Sequence, residues 1–583
     1  MVSNSEIADA LDELGTLYEI DGANRFRVIA YHEGARVIRK HPVSVAKLAR
    51  EGRAVEIDGV GKTLQDKIVA LNETGEIPAT AKLKAKYPAG LVDVTRLPGV
   101  GAKTARKLWE ELGVSDLASL REAALAEKVR ELPGLGPKTE QNILEALAKT
   151  GEAATTGGGK RLLLSDILPV VDELIAVLRE HDSCVDASAA GSARRLADTC
   201  HDIDIVASST DPLALAEHFA GNELFAKRNK PTADGVHCET HHGIGVDLRI
   251  VPPETFGNLL QHFTGSKAHN VELRERAVKQ GLSISEHGIK NTETGEVERM
   301  ATETEVYERL GYPYIPPELR EGTGELDAAL EGRLPELVGR DDIRGDLHMH
   351  TTLSDGRDTL EEMAEAGRKL GYSYVAITDH SASHGFGNNV TPKRLEERIE
   401  EIGALNEQYK SRGQRFRVLA GSEVNILPDG TLDYDDELLA QLDWVVASVH
   451  TSFKQDSDRM TKRMVAAIEN PLVDCIGHPT GRLLLKRDPY QLDIETVIEA
   501  AARTGTFLEI NGSPQRRDLT DQHARLAAEA GVLICLDTDA HGADSLGFMQ
   551  YALATARRGW LTAGQVTNTR PWRSLNALRP RNR

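Results

Sequence analysis

At 583 residues the chain is far too long to fold around one hydrophobic core and is expected to divide into several domains. Aromatic residues make up 4% and charged residues 27%, a balance that excludes a disordered or membrane-embedded class. The net charge of −20 excludes a protein that coats nucleic acid by bulk positive charge, though it leaves room for local basic patches.

The chain opens on "MVSNSEIADALDELG", which has neither the basic start nor the apolar middle of a signal peptide, and no later apolar run approaches the length of a bilayer span. A cytoplasmic protein without a membrane partner is expected. Acidic excess with more Arg than Lys also suits a cytosol rich in salt, which salt-dependent folding tests. From 5 to 50 apolar residues recur at helical spacing: Ile7, Leu11, Leu14 and Leu17, then Val28, Ile29, Val37 and Ile38. A repeat follows. "IDGVGKTLQDKI" (57–68), "LPGVGAKTARKL" (97–108) and "LPGLGPKTEQNI" (132–143) each place two glycines around an apolar residue just before a predicted helix. Such turns (Gly59 and Gly61, Gly99 and Gly101, Gly134 and Gly136) bare backbone amides at a helix N-terminus, a seat for phosphate. Lys62, Lys103 and Lys138 stand close behind. Three copies in an all-helical region resemble helix-hairpin-helix motifs, which grip the DNA backbone without reading sequence.

"GEAATTGGGKR" (151–161) reads as a flexible linker and "LLLSDILPVVDELIAVLRE" after it as an amphipathic helix. Strands alternate with turns over 185–209 and 243–254. Between them "HCETHH" (237–242) looks superficially like a metal clip, but it reads as a solvated hairpin turn. Residues from Thr255 to about Pro317 read as short helices and irregular segments, and 320–342 as a bridge. From Ile343 to about 570, strands and helices alternate as in a parallel α/β fold. The five scattered cysteines, Cys184, Cys200, Cys238, Cys475 and Cys535, argue against a disulfide framework and for a reducing compartment.

Chemistry enters with "HDIDIV". Asp202 and Asp204 are two apart on a predicted strand, so both carboxylates face one side, and Asp247 in "VDLRIV" comes from a second strand. Three such carboxylates suit a pair of hard cations, Mg²⁺ or Mn²⁺, that drive nucleotidyl transfer. Upstream, "GSARR" supplies Gly191, Ser192, Arg194 and Arg195, a short loop and guanidiniums suited to a triphosphate.

With these motifs in place, residues 1 to about 320 resemble the family X DNA polymerases of the nucleotidyltransferase superfamily. The resemblance implies an N-terminal helical lyase-like domain with a helix-hairpin-helix over 1–88, helix-hairpin-helix fingers over 89–150, an α+β palm over 161–253 and a thumb over 254–320. In the thumb, "FTGSKAHNVELR" (263–274) matches the family's nucleotide-sugar and minor-groove segment. It implies the backbone from Phe263 to Gly265 beside the sugar, Asn270 by the incoming base and Arg274 near the template. Lys67 falls where lyase-competent members carry a Schiff-base lysine; an exposed helix lysine is the equal alternative. Departures from the family are His201 for a Gly before the first carboxylate, Cys200 for a small hydroxyl residue, Leu196 for a Gly, and His262 for a Tyr. Side chains crowding the triphosphate pocket would lower polymerase efficiency.

The C-terminal half ends one apolar run after another in a metal-competent group. "GDLHMHTTLSDG" holds His348 and His350 on one face of a predicted short strand, with Asp355 in the turn; "YVAITDHS" ends in His380, "FRVLAGSEVNI" in Glu423, "DWVVASVHTS" in His450, "DCIGHPT" in His478, and "VLICLDTDAH" in Asp539 and His541. The C-terminal ends of parallel barrel strands converge on one face. Imidazole and carboxylate without thiolate suit Mn²⁺, Zn²⁺ or Fe²⁺, and the donors are enough for two or three ions, with Glu423 as a bridge. This segment resembles the PHP (polymerase and histidinol phosphatase) domain, a distorted β/α barrel over 343–570 after a linker at 321–342, and all nine of these residues fall on the family's ligand positions. Basic loops at "KRDPYQ" (486–491) and "SPQRR" (513–517) offer Arg516 or Arg517 to a DNA phosphate, or are solvated loops.

The expectation is a gap-filling repair polymerase joined to a metal-dependent 3′-5′ exonuclease, acting as a monomer on gapped or primed double-stranded DNA with dNTPs. The alternatives are a PHP nuclease or phosphatase whose polymerase half has lapsed, and a non-catalytic DNA scaffold.

Overall fold

The computed structural model describes residues 2–41, 43–97, 100–155, 161–383 and 388–582. It divides into two compact units: Met1–Arg161 with Leu174–Ala187 and His201–Pro253, and Leu162–Glu173 with Ser188–Cys200 and Glu254–Arg583. No helix among the described residues is long and apolar enough to cross a membrane.

The first unit begins all-helical. Ser3 and Glu6 form a capping box that starts the helix Asn4–Ile20, and Ile7, Leu11, Leu14 and Leu17 are fully buried along one stripe of it. The next helix, Arg25–Lys40, buries Val28 and Ile38 but leaves Ile29 exposed, against the periodic reading. All three glycine turns lead into helices as expected: Gly61 caps Lys62–Thr74, Gly101 caps Ala102–Leu112, and Gly136 immediately precedes Pro137–Thr155. Gly59 (φ +84°) and Gly134 (φ +87°) occupy the left-handed region that only glycine adopts without strain. Open space surrounds Gly61, Gly101, Gly134 and Gly136, so their backbones are accessible. Gly99 lies outside the described residues.

The linker reading is partly overturned. The helix Pro137–Thr155 runs on through Gly151, since one glycine costs a helix only about 1 kcal/mol against Ala and two alanines follow it. Residues 156–160 of that segment lie outside the described residues.

The strands that follow are β1 (Leu162–Leu163), β2 (Cys184–Ala189), β3 (Thr199–Cys200), β4 (Ile203–Ser209), β5 (Phe225–Arg228), β6 (Gly235–Thr240) and β7 (Gly245–Val251). β1 and β3 form a two-stranded pair, and the others a sheet of order β2-β4-β7-β6-β5. β4 and β7 run parallel, which brings Asp204 directly opposite Asp247. "HCETHH" is not a solvated turn. His237 to Thr240 belong to β6, Cys238 is fully buried against the sheet, and only the last two histidines turn, with His241 buried. Alternation hid this, because polar residues here face out between buried Val236, Cys238 and Thr240.

In the second unit the thumb contains a three-stranded antiparallel sheet, β8 (Leu282–Ser285), β9 (Gly288–Asn291) and β10 (Val297–Glu298), that the irregular reading missed. These strands are two to four residues long, too short to set up a clear period. The bridging segment 320–342 is partly helical and packed. Its helix Glu325–Leu330 buries Leu326 and Ala329 in one core with Tyr307, Leu310 and Leu319.

The last strands, β11 (Gly345–Asp346), β12 (Tyr374–Ile377), β13 (Arg417–Asn425), β14 (Trp444–Ser448), β15 (Cys475–Ile476), β16 (Phe507–Asn511) and β17 (Ile534–Asp537), form a parallel sheet in sequence order. Its two edges meet through a bridge between Met349 and Ala540 and through the Asp346 carboxylate, which accepts from the hydroxyl of Thr538 at 2.6 Å. At this seam an isolated bridge and side-chain bonds stand in place of a continuous ladder. Alternate residues of each strand face helices (Val375, Val418, Val445) or a second cluster built from Leu347, Tyr374, Leu419, Trp444, Cys475, Phe507 and Cys535.

Leu575 joins that second cluster, and Arg579 forms a two-pronged buried ion pair with Asp474 (2.8 and 2.9 Å), so the barrel continues beyond residue 570. Removing one partner of such a pair leaves a buried charge uncompensated. Arg579→Ala is expected to destabilise the barrel by about 3–5 kcal/mol, read as a lower chemical-denaturation midpoint; an unchanged midpoint would show that water replaces the guanidinium.

Candidate functional site

In the first unit, Asp202 immediately precedes β4 and Asp204 lies within it, both half-buried, while the intervening Ile203 and Ile205 are fully buried on the opposite face. The same alternation that hides the isoleucines therefore presents the two carboxylates together. Asp247 joins them from β7. Two histidines attend the group: His237 on β6 has Nδ1 3.0 Å from Asp247 Oδ1, and His201 Nδ1 is 3.6 Å from Asp202 Oδ2. Sequence spacing does not reveal the position of His237, because its strand reads as a turn. A cavity of about 200 Å³ borders Asp247, lined also by Lys230, Asp234, His237 and Arg249.

Lys67 is half-buried, not the exposed helix lysine of the alternative reading, and its Nζ lies 6.0 Å from the centre of the Tyr31 ring. Burial and the nearby Arg27 charge lower its proton affinity.

In the second unit, Gly191, Ser192 and Arg194 form a short helix followed by Arg195. The two arginines are already engaged. Arg194 pairs with Glu303 (2.5 and 2.8 Å) and Arg195 with Glu321 (2.9 Å), so neither guanidinium points into open space as a triphosphate clamp would. In the thumb, Phe263 is half-buried and Gly265 ends the helix Phe256–Thr264 at φ +67°. Asn270 donates to the His262 carbonyl (2.7 Å) and accepts from Gln261 (2.9 Å). Exposed Arg274 lies 3.0 Å from Nδ1 of His262, whose proton affinity burial and the Arg274 charge lower.

At the barrel mouth the structure brings all nine predicted donors together. His348 and His350 lie just beyond the two-residue strand β11 instead of on it, yet their rings lie together, tilted by 56° with centres 5.2 Å apart. Glu423 lies at an inward position of β13, two residues after Gly421, and is the hub. Its oxygens are 3.4 Å from His348 Nε2, 2.8 Å from His380 Nδ1, 3.2 Å from His450 Nε2 and 3.0 Å from His478 Nε2. Asp539 Oδ1 lies 3.1 Å from His350 Nε2, and Asp355 Oδ2 lies 3.2 Å from His541 Nε2 and 3.6 Å from His380 Nε2. Three overlapping donor groups result: His350, Asp355, His380 and His541; His348, His350 and Asp539; His380, Glu423 and His450. His478 (φ +30°) and Asp539 (φ +53°) hold left-handed backbone that non-glycine residues adopt only at a cost, here where side chains must be re-aimed.

Electrostatics marks the same spot. Burial alone would depress His348, but the carboxylates of Glu509, Glu423 and Asp539 overcome it and raise its proton affinity well above normal. Burial likewise opposes the rise of His380, which Glu423 and Asp355 drive to about 10, and of His541, which Asp355 and Asp539 drive to about 9. His350, buried among the His541 and His380 rings, is pushed down to about 4. Glu423 and Asp539 are held well below the carboxylate range by the surrounding imidazoles despite full burial. A buried knot of opposed groups this dense is costly in water-free surroundings unless cations sit in it. Buried His348 Nε2, His350 Nδ1, His478 Nδ1 and Glu423 Oε2 indeed make no well-directed hydrogen bond among the described residues. The donor set fits divalent cations of the borderline kind.

Several participants were missed. Glu509, inward on β16, accepts from His348 Nδ1 at 2.6 Å and so turns Nε2 toward the donor group. Asn511 donates to Asp539 (3.1 Å), and Arg516 Nε is 3.4 Å from Asp539 Oδ2. A glutamate inside the apolar run "FLEIN" was the available signal. Asp346 and Asp537, behind the cluster, are pushed up by burial, Asp346 to about 6. Arg517 corrects the sequence reading: it is fully buried, not offered to solvent or DNA. A pocket of about 270 Å³, lined by Arg516, Asp539, His541, Ser513 and Phe548, opens beside the donors.

A distorted parallel barrel with a polynuclear histidine–carboxylate mouth defines the PHP class of domain, and residues 346–513 match the family description "PHP domain". Residues 259–321 match "DNA polymerase beta thumb", 2–77 match "Helix-hairpin-helix domain" and 91–149 match "SAM-like Helix-hairpin-helix tandem". Over 99% of both chains, the sequence is 38% identical to "DNA polymerase/3'-5' exonuclease PolX" of Bacillus subtilis (strain 168). The chain belongs to the family X DNA polymerases that carry a C-terminal PHP domain. A probable phosphatase of Thermoanaerobacter sp. (strain X514) is 35% identical over 38% of this chain and 89% of its own length, and one of Syntrophotalea carbinolica is 29% identical over 38% and 90%. Polymerase and PHP domains imply dependence on divalent metal ions, and a polymerase with helix-hairpin-helix domains implies DNA binding.

Proposed function

We propose that the chain is a gap-filling DNA repair polymerase coupled to a 3′-5′ exonuclease, acting in the cytoplasm as a monomer on gapped or primed duplex DNA with dNTPs. The observation that carries the reading is that both acidic centres are complete in a chain alike over its whole length to a bifunctional relative: Asp204 opposite Asp247 beside Asp202, and the nine-donor barrel mouth.

In the palm, Asp202, Asp204 and Asp247 would hold two Mg²⁺ or Mn²⁺ ions; in the barrel, the nine donors would hold two or three of Mn²⁺, Zn²⁺ or Fe²⁺. Such ions lower the proton affinity of bound water and neutralise charge on a phosphate. The chain's own residues do the rest. Glu509 and the carbonyl of Asp539 orient the His348 and His541 rings, and Arg516 offers a guanidinium to an incoming phosphate at the open side of the mouth. Glycine turns at Gly59–Gly61, Gly99–Gly101 and Gly134–Gly136 would take the DNA backbone, with Phe263, Gly265, Asn270 and Arg274 lining the nucleotide and template side. A time course on a gapped duplex, with the 3′ end labelled and each metal tried with and without dNTPs, reports synthesis and degradation together. Neither activity in any metal would leave the scaffold reading.

Half-burial and a lowered proton affinity support Lys67 as the nucleophile of an abasic-site lyase, because an imine needs the neutral amine. Lys67→Ala is expected to remove at least about 90% of the borohydride-trapped adduct with abasic DNA, with gap filling retained. Trapping at the wild-type level would return Lys67 to an ordinary helix position.

The second reading, a PHP nuclease or phosphatase with a lapsed polymerase half, is favoured by the engagement of Arg194 and Arg195 with glutamates. Primer extension decides between the two.

A further inference from the structure

We propose that Asp198 and the barrel arginines Arg482 and Arg517 form a clasp that positions the 191–198 loop, so that dNTP affinity at the polymerase centre depends on the barrel. Asp198 and Arg517 are positioning residues in this scheme, acting through the loop and not on the reacting atoms. The inference rests on the two-centre reading above.

After the short helix Gly191–Arg194 the chain turns back on itself, with Leu196 N–H bonded to the Ala193 carbonyl and Ala197 N–H to that of Ser192, and Leu196 holds a left-handed φ of +55°. Three guanidiniums of the barrel hold it in that form. Arg517 Nη2 donates to the Leu196 carbonyl at 3.1 Å, and its Nε, which donates to Thr555 Oγ1 at 2.9 Å, stands within ion-pair distance of Asp198 Oδ1 at 3.2 Å. Arg482 Nη2 takes the other oxygen of Asp198 at 2.9 Å. Arg558 donates to the Arg195 carbonyl at 2.9 Å and to Glu321 at 2.7 Å, and Glu321 accepts from Arg195 as well. Every partner of the loop in this set is a charged side chain, and two of the loop's own carbonyls accept from them, so the contact fixes geometry.

Arg517 is the revealing member. Its side chain is fully buried, and its Nη1 makes no hydrogen bond among the described residues, an expensive placement for a guanidinium that only needed to fill space. Its neighbour Arg516 faces Asp539 at the barrel mouth. One short loop, Ser513–Asp518, therefore touches the barrel's donor cluster with one arginine and the 191–198 segment with the next. That segment leads within four residues to Asp202, the first palm carboxylate.

The test uses the full-length protein, with dNTP titration of single-nucleotide gap filling, exonuclease rate on a labelled single strand, and a thermal melt for each variant. Asp198→Ala is expected to raise the dNTP KM by about 10-fold or more while kcat changes less than about 3-fold and the exonuclease rate stays at the wild-type level. Asp198→Glu should recover part of the affinity, and Arg482→Ala should shift KM in the same direction by less. Should Asp198→Ala melt early, Arg482→Ala alone decides. A wild-type dNTP KM in the folded variants overturns the clasp, as does a parallel loss of both activities, which would mark a merely structural contact. Absence of gap filling in the wild-type protein overturns the polymerase reading itself, and the clasp with it.

Discussion

Asp204→Asn is expected to cut nucleotide incorporation by at least about 10³-fold, equivalent to about 4 kcal/mol of lost transition-state stabilisation. The reason lies in register. Asp204 and Asp247 are directly opposed on parallel β4 and β7, and Asp202 stands two residues earlier on the same face. On the proposed two-ion reading Asp204 would share divalent ions, and an amide supplies neither the negative charge nor a second oxygen. The fold should survive, since Asp204 is half-buried near the start of β4 while Ile203, Ile205 and Val206 of the same strand are fully buried. Single-turnover incorporation into a gapped duplex measures the loss, with exonuclease rate as the internal control. Incorporation at more than about a tenth of the wild-type rate would remove the palm carboxylates from the mechanism.

Glu423→Gln is expected to abolish the exonuclease by about 10³-fold or more, with gap filling unchanged. Four imidazoles approach its two oxygens within 3.4 Å, more than approach any other carboxylate of the mouth among the described residues. The amide also withdraws the charge that raises His348 and His380, so their proton affinities should fall toward the buried-histidine direction. Metal content per chain, read by elemental analysis, should drop with activity. Chelation of the wild-type protein should reproduce the loss and lower the melting temperature, because ions bound only by the folded state at about 100 times Kd stabilise it by about 2.7 kcal/mol. A Glu423→Gln protein that keeps both its metal and its nuclease would exclude Glu423 as the hub.

The two centres differ in how they tolerate loss. The palm triad is half-exposed and built from few groups, so its substitution is a chemical event. The barrel mouth is buried, with His348, His350 and Glu423 essentially inaccessible, so substitution there also disturbs a balanced charge network. Activity and melting should therefore be read together for barrel variants.

What the amino-acid sequence determined by itself is the chemistry that local spacing encodes. Period two put Asp202 with Asp204, the glycine turns announced their helices, and the metal-competent residues each followed an apolar run. Those signals depend only on backbone geometry within a few residues. The tertiary structure decided what depends on residues far apart in the chain. It made Glu509 the partner of His348 across 161 residues, put His237 against Asp247, and turned Arg517 inward to Asp198 and Leu196 instead of outward to DNA. It also tied Arg194 and Arg195 to Glu303 and Glu321, and carried the barrel past residue 570 through Arg579 and Asp474. The physical reason is that a charged side chain reads as exposed until its partner is known, and long-range pairing alone makes its burial affordable.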